Sequence, residues 1–168
     1  GPGSATAGGL VGFSIGTETL GSIVSPSTRN GVSGLGPAVG GVSRHGAMAL
    51  SWSMDKIGPM CRSAEDCALV LNAIHGPDGL DPTLRDVPFN WDANAKLSDI
   101  RIGYFKTAFE QTNQQGQRNQ FDAAALEAMQ RLVPNLIPVE LPIQRYPLNP
   151  ISGSVLGIVA AAAFRDLQ

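Results

Sequence analysis

Gly16-Thr17-Glu18-Thr19-Leu20-Gly21-Ser22-Ile23 joins an apolar segment, residues 10–15, to a run of small residues. Val11, Phe13 and Ile15 alternate with small residues, the period of a buried strand. Gly21 lets the backbone turn where a side chain would clash. Ser22 follows that hinge directly. The amides of Thr19, Leu20, Gly21 and Ser22 can then converge on one point. Acyl transfer needs that arrangement: a nucleophilic oxygen beside donors aimed at a developing oxyanion. A Gly/Ser-rich turn with an ordinary capping serine fits the same spacing, so this octet leaves both readings open.

The flanks add context. Downstream come GVSGLGPAVGG (31–41), VSRHG (42–46), DKIGPM (55–60) and SAEDCALVLNAIHG (63–76). Together with GTETLGSIV this resembles the amidase signature family of amide hydrolases. That family shows a G-T-[DE]-T-G-G-S-I-R segment, then G-V-x-G-[LF]-[KR]-P-T, V-S-R-x-G, D-x-[IL]-G-P-M and an E-D-A-type helix. All five occur here in that order, densely over residues 4–76 and thinly beyond. The resemblance places Ser22 at the nucleophile of a Ser–cis-Ser–Lys triad and the backbone of Thr19, Leu20, Gly21 and Ser22 at the oxyanion hole. It gives Thr17 and Glu18 the role of steadying the loop, with a solvent-facing Glu18 as the plain alternative.

The same resemblance puts the bridging serine a couple of positions before Gly1 and the lysine further upstream. Ser4 does not align with the bridging position, and Lys56, Lys96 and Lys106 all follow Ser22. A serine hydroxyl is a weak nucleophile without an adjacent base. The expectation is therefore a fragment, inactive as an isolated chain. The opening Gly-Pro-Gly-Ser fits the family's loop and fits a vector remnant equally. Leu20, Val24, Gly36, Ala38 and Gly41 depart from the family pattern, the second, third and last of them replacing cations. The implied activity is hydrolysis of a small-molecule amide through an acyl-enzyme, with no metal or cofactor. The alternatives are a glutaminase subunit of a tRNA-dependent amidotransferase, and a non-catalytic fragment or decayed homologue.

The chain has 168 residues, enough for one ordinary domain, and is 43% hydrophobic. Fourteen acids against twelve bases leave a net charge of −2, which favours neither nucleic acid nor an anionic membrane. No apolar run reaches the length of a bilayer span. Cys61 and Cys67 lack zinc spacing and a second pair, so they read as reduced, partly buried thiols in a reducing, cytoplasmic compartment. Homo-oligomerisation stays open.

Residues 4–9 read as a short helix, 32–35 as a short strand and 39–54 as loop. Residues 62–76 are the clearest helix, with Ser63 as N-cap, Asp66 at the capping-box position, and Ala64, Cys67, Ala68, Leu71 and Ile74 on one stripe. Glu65 and Asp66 suit its N-terminus. Strands are expected at 100–104 and 137–141, helices at 122–132 and 151–167, an exposed loop at 107–119 and irregular chain at 142–150. The whole is read as one α/β domain, a mixed β-sheet core flanked by helices with some exposed strand edges. Its parts are a signature core at 4–76, a lid-like linker at 78–97 and a C-terminal α/β part at 98–168.

Rival motifs are weaker. Gly12-Phe13-Ser14-Ile15-Gly16 matches the G-x-S-x-G nucleophile elbow, but a glycine loop follows where that motif needs a helix. His75 could be proposed as its base, but the requirement of an Asp or Glu before it in the chain is too permissive to discriminate. Gly1, Gly3, Gly8, Gly9 and Gly12 lack the Gly-Lys-[Ser/Thr] of a phosphate loop and a strand before the first glycine. His45 has no partner at metal-ligand spacing. Asp55 and Lys56 read as pairing with each other's neighbours, or Asp55 as a turn cap.

Overall fold

The computed structural model describes residues 1–112, 119–133, 135–142 and 148–167. The chain divides into two compact units, residues 1–91 with 149–168, and residues 92–148.

In the first unit, helix α1 (Pro2–Ala7) leads into strand β1 (Ser14–Glu18). Helix α2 (Val24–Asn30), strand β2 (Ser33–Gly34), strand β3 (Lys56–Cys61) and helix α3 (Ala64–Ile74) follow. The three strands form an antiparallel sheet in the order β1-β3-β2. Ser14 faces Met60 and Glu18 faces Lys56 across β1–β3, and Ser33 faces Cys61 across β2–β3. In α3 the Ser63 hydroxyl accepts the Asp66 N–H at 3.0 Å. Its buried residues are Cys67, Ala68 and Leu71, three of the five on the expected stripe.

The strand expected at 10–15 begins instead at Ser14, and Leu10 and Phe13 are 81% and 50% exposed. The reason is register. Ser14 already faces Met60, and β3 ends one residue later at Cys61. Residues 10–13 therefore have no ladder to join. Arg62 instead donates through Nη1 to the carbonyls of Val11 (3.1 Å) and Thr6 (3.4 Å).

β3 is the central strand, although its sequence, Lys-Ile-Gly-Pro-Met-Cys, contains two residues that argue against a central strand. Both fit for local reasons. The Pro59 carbonyl accepts the Leu35 N–H at 2.9 Å. The N–H and C=O of one strand residue point the same way, so the missing donor lies on the β2 side, beyond the two residues of β2. Gly58 is needed because the Leu35 carbonyl oxygen occupies the place where a Cβ would sit.

The sheet face above these strands is built from one glycine per strand: Gly16, Gly34 and Gly58. A Cβ on each would lie 3.3, 3.0 and 3.2 Å from carbons of the Ile23 side chain. Ile23 is wholly buried. The glycines leave a shallow seat, and the residue directly after Ser22 fills it.

In the second unit, β4 (Gly103–Phe105) pairs in parallel with β5 (Ile137–Val139), as Gly103↔Ile137. Both strands are shorter than expected. Helix α4 (Lys106–Glu110) replaces the start of the loop expected at 107–119, supported by a Lys106–Glu110 contact at 3.9 Å. Residues 113–118 of that loop lie outside the described residues. Helix α5 (Gln120–Leu132) is capped by the Asn119 side chain, which accepts the Phe121 N–H at 3.0 Å.

Helix α6 (Leu148–Ala163) belongs to the first unit from Asn149 onward. It starts inside the segment expected to be irregular; residues 143–147 of that segment lie outside the described residues. Among the described residues no helix is long and apolar enough to cross a membrane. Helices and sheets mix as expected for an α/β fold.

Candidate active site

The loop after β1 carries Ser22. The β1–β3 ladder stops at Glu18↔Lys56, so the N–H groups of residues 19–22 lie beyond it. Gly21 has φ +102°, a left-handed conformation that favours glycine. Ser22 is exposed and lines a cleft of about 420 Å³, together with Thr17, Thr19, Arg44, His45, Asp55 and Lys56. The apolar rim includes Met48, Leu50, Trp52, Leu80 and Pro82.

Two anchors hold the loop. At its far end, Glu18 is 8% exposed, and its Oε2 accepts the N–H of Ile23 at 2.8 Å and of Val24 at 3.0 Å. These N–H groups open α2, where no intrahelical acceptor exists, and a carboxylate is favourable there. The solvent-facing alternative for Glu18 is thereby excluded. At the near end, the Thr19 hydroxyl donates to Asp55 Oδ1 at 2.6 Å, and Lys56 Nζ donates to the Thr19 carbonyl at 3.3 Å and the Met54 carbonyl at 2.7 Å. Thr17 faces Ile57 in the ladder and turns toward the cleft.

Asp55 is also a turn cap: its Oδ2 accepts the N–H of Leu50 (2.8 Å) and Ser51 (2.9 Å). Burial pushes its carboxyl pKa up. The Thr19 hydroxyl, the Ser51 and Leu50 amides and the Arg44 charge outweigh that and hold it below the usual carboxylate value. A depressed carboxylate stabilises the fold above its unfolded pKa, and that contribution is lost as pH falls through the folded value. Asp55→Asn is therefore expected to cost about 2 kcal/mol at pH 7. It is also expected to lose less further stability than the parent between pH 5 and pH 3, read from urea midpoints.

Arg44 ties the cleft's two loops together. Its Nε and backbone N–H meet Asp81 Oδ2 at 3.3 and 3.0 Å, Nη1 meets the Trp52 carbonyl at 2.6 Å, and Nη2 meets the Thr83 hydroxyl at 2.9 Å. The Arg44 and Asp81 side chains are 15% and 7% exposed. Hydrogen bonds from Thr83, and then those from Arg44, hold the Asp81 carboxyl well below the usual range. Asp55, Lys56 and Arg44 escaped the sequence reading as a group because their partners lie up to 39 residues away.

The rival motifs find no site. Ser14 opens a strand, and its hydroxyl lies 2.8 Å from that of Thr6. His75 ends α3 with its ring 6.1 Å from Phe89. Cys61 and Cys67 are buried free thiols; burial, then the neighbouring Cys67, pushes Cys61 up to about 12. Among the described residues no cluster of three or more His, Cys, Asp or Glu can hold a metal ion.

The family model for Amidase matches residues 1–166. The chain belongs to the amidase family. This amidase segment is 39% identical over 155 residues to the A-type subunit of glutamyl-tRNA(Gln) amidotransferase from Burkholderia pseudomallei (strain 668), covering 84% of the segment and 31% of that protein. It superposes on native peptide amidase from Stenotrophomonas maltophilia with a TM-score of 0.74 at 35% identity, over 98% of the segment and 35% of that chain. Against the corresponding glutamyl-tRNA(Gln) amidotransferase subunit from Thermotoga maritima the TM-score is 0.83 at 26% identity, over 98% and 36%. The segment thus spans about a third of the length of the relatives it matches.

Proposed function

We propose that the amidase segment supplies the nucleophile and oxyanion hole of an amide hydrolase. Ser22 Oγ attacks the amide carbonyl, N–H groups of residues 19–22 receive the developing oxyanion, the amine leaves, and water releases the acyl group. The single observation carrying this reading is Ser22 exposed on a cleft, next to backbone donors left outside the ladder, in a loop fixed by Glu18 and Asp55. Thr17 shapes the cleft wall, and Glu18 holds the loop against α2. The substrate is a small amide.

The base and bridging serine implied by the resemblance have no counterpart before Ser22 in this sequence. Residues 1–168 alone are accordingly proposed to be inactive. The test joins the segment to an upstream lysine and Gly-Ser-Ser loop and treats the product with a serine-directed fluorophosphonate. The expected adduct is on the peptide containing Ser22; an adduct elsewhere, with Ser22 untouched, overturns the reading. Ser22-dependent hydrolysis by residues 1–168 alone would refute the inactivity.

A second reading is favoured by the 39% identity to a glutamyl-tRNA(Gln) amidotransferase component: the site is a glutaminase that passes ammonia to a partner. Ammonia release from glutamine, compared with simple amides, separates the two.

A further inference from the structure

We infer that Lys56 is a positioning residue for the oxyanion loop, acting through the Thr19–Leu20 peptide; this rests on the amide hydrolase reading above. Lys56 lies at the end of the β1–β3 ladder, opposite Glu18. Its ammonium reaches across to the Thr19 carbonyl at 3.3 Å while the Met54 carbonyl fixes it at 2.7 Å. The neighbouring Asp55 takes the Thr19 hydroxyl at 2.6 Å. Adjacent residues of one chain segment therefore grip one loop residue by both its side chain and its main chain.

The geometry has a direct consequence. A trans peptide is planar, with C=O and N–H pointing in opposite directions. A donor held on the Thr19 oxygen sets the rotation of that plane, and so sets the direction of the Leu20 N–H. A cation on the oxygen also draws electron density from the peptide and strengthens the N–H as a donor. The Leu20 N–H is one of the four placed around the oxyanion.

The other charges of the cleft are engaged elsewhere. Arg44 is bound to Asp81, Trp52 and Thr83, and the Asp55 carboxylate is filled by Thr19, Leu50 and Ser51. Among the described residues Lys56 forms no ion pair with a carboxylate, so its charge is directed at the two carbonyls.

The test compares Lys56→Met, Lys56→Gln and Lys56→Arg in the segment joined to an upstream lysine and Gly-Ser-Ser loop. Lys56→Met is expected to lower kcat about 10-fold, less than the roughly 100-fold or more lost with a direct oxyanion donor, with KM changed by less than about twofold. Lys56→Gln should fall between Met and the parent, and Lys56→Arg should recover most of the rate. In residues 1–168 alone, Lys56→Met should move the Leu20 amide proton resonance upfield. An unchanged kcat in Lys56→Met, a loss wholly in KM, or a Leu20 resonance that does not move overturns the inference. Ser22→Ala in the same polypeptide tests the hydrolase reading separately. If that variant keeps the parent rate, the hydrolase reading fails, while the Leu20 resonance still decides whether Lys56 sets the peptide.

Discussion

Ser22→Ala, in the polypeptide that joins residues 1–168 to an upstream lysine and Gly-Ser-Ser loop, is expected to lower kcat by about 10⁴-fold or more. The neighbouring hydroxyls are placed elsewhere: Thr17 lines the cleft from within β1, before the loop that carries Ser22. Ser14 is tied to Thr6 at the start of β1, and Thr19 donates its proton to Asp55. Ser25 and Ser27 lie in α2, past the turn, and Ser27 is buried. The same substitution should leave stability within about 0.5 kcal/mol of the parent, because Ser22 is exposed and removes no packed volume. Loss of rate at constant unfolding midpoint is thus the expected signature. Retention of more than a tenth of the parent kcat would remove Ser22 from the mechanism, whatever the family of the chain.

Gly58→Ala is expected to be the most damaging single methyl addition in the segment. Its Cβ would overlap the Leu35 carbonyl oxygen, stand 2.7 Å from Pro37 Cδ and press on Ile23 at 3.2 Å. The carbonyl belongs to the chain that pairs with Pro59, and β3 is held on its other side by β1. Neither side can yield cheaply, so a loss of about 3 kcal/mol or more follows. The effect should reach the site, because Ile23 is seated on this glycine and adjoins Ser22. Gly12→Ala is the control: nothing lies within 4 Å of its Cβ, and its urea midpoint should match the parent within about 0.5 kcal/mol. Equal midpoints for the two variants would show that the Leu35 approach does not constrain the fold.

The helix at 64–74 was legible because its signals are local: a Ser63 cap, acids in the first turn and apolar residues three and four apart. The strand before Ser22 was legible in kind but displaced by four residues. Alternation at Val11, Phe13 and Ile15 is a property of the segment, whereas the start of the ladder depends on where β3 ends. β3 itself went unread, since Gly58 and Pro59 argue against a central strand until Leu35 supplies the reason for both. A turn cap was one of the two readings left open for Asp55, and Asp55 does cap a turn. Its second carboxylate oxygen, bound to Thr19, could not be read from a residue 36 positions away.

Sequence by itself determined the family, the α/β class and the Gly-Ser hinge, because these rest on residue types at short fixed spacings, where backbone freedom and side-chain size act directly. Tertiary structure decided what holds the hinge in place. Glu18 on the start of α2, Asp55 and Lys56 on Thr19, and Ile23 on three glycines from three strands are contacts between distant segments. Such contacts exist only once the sheet register is fixed, and register is a property of paired strands rather than of any one of them.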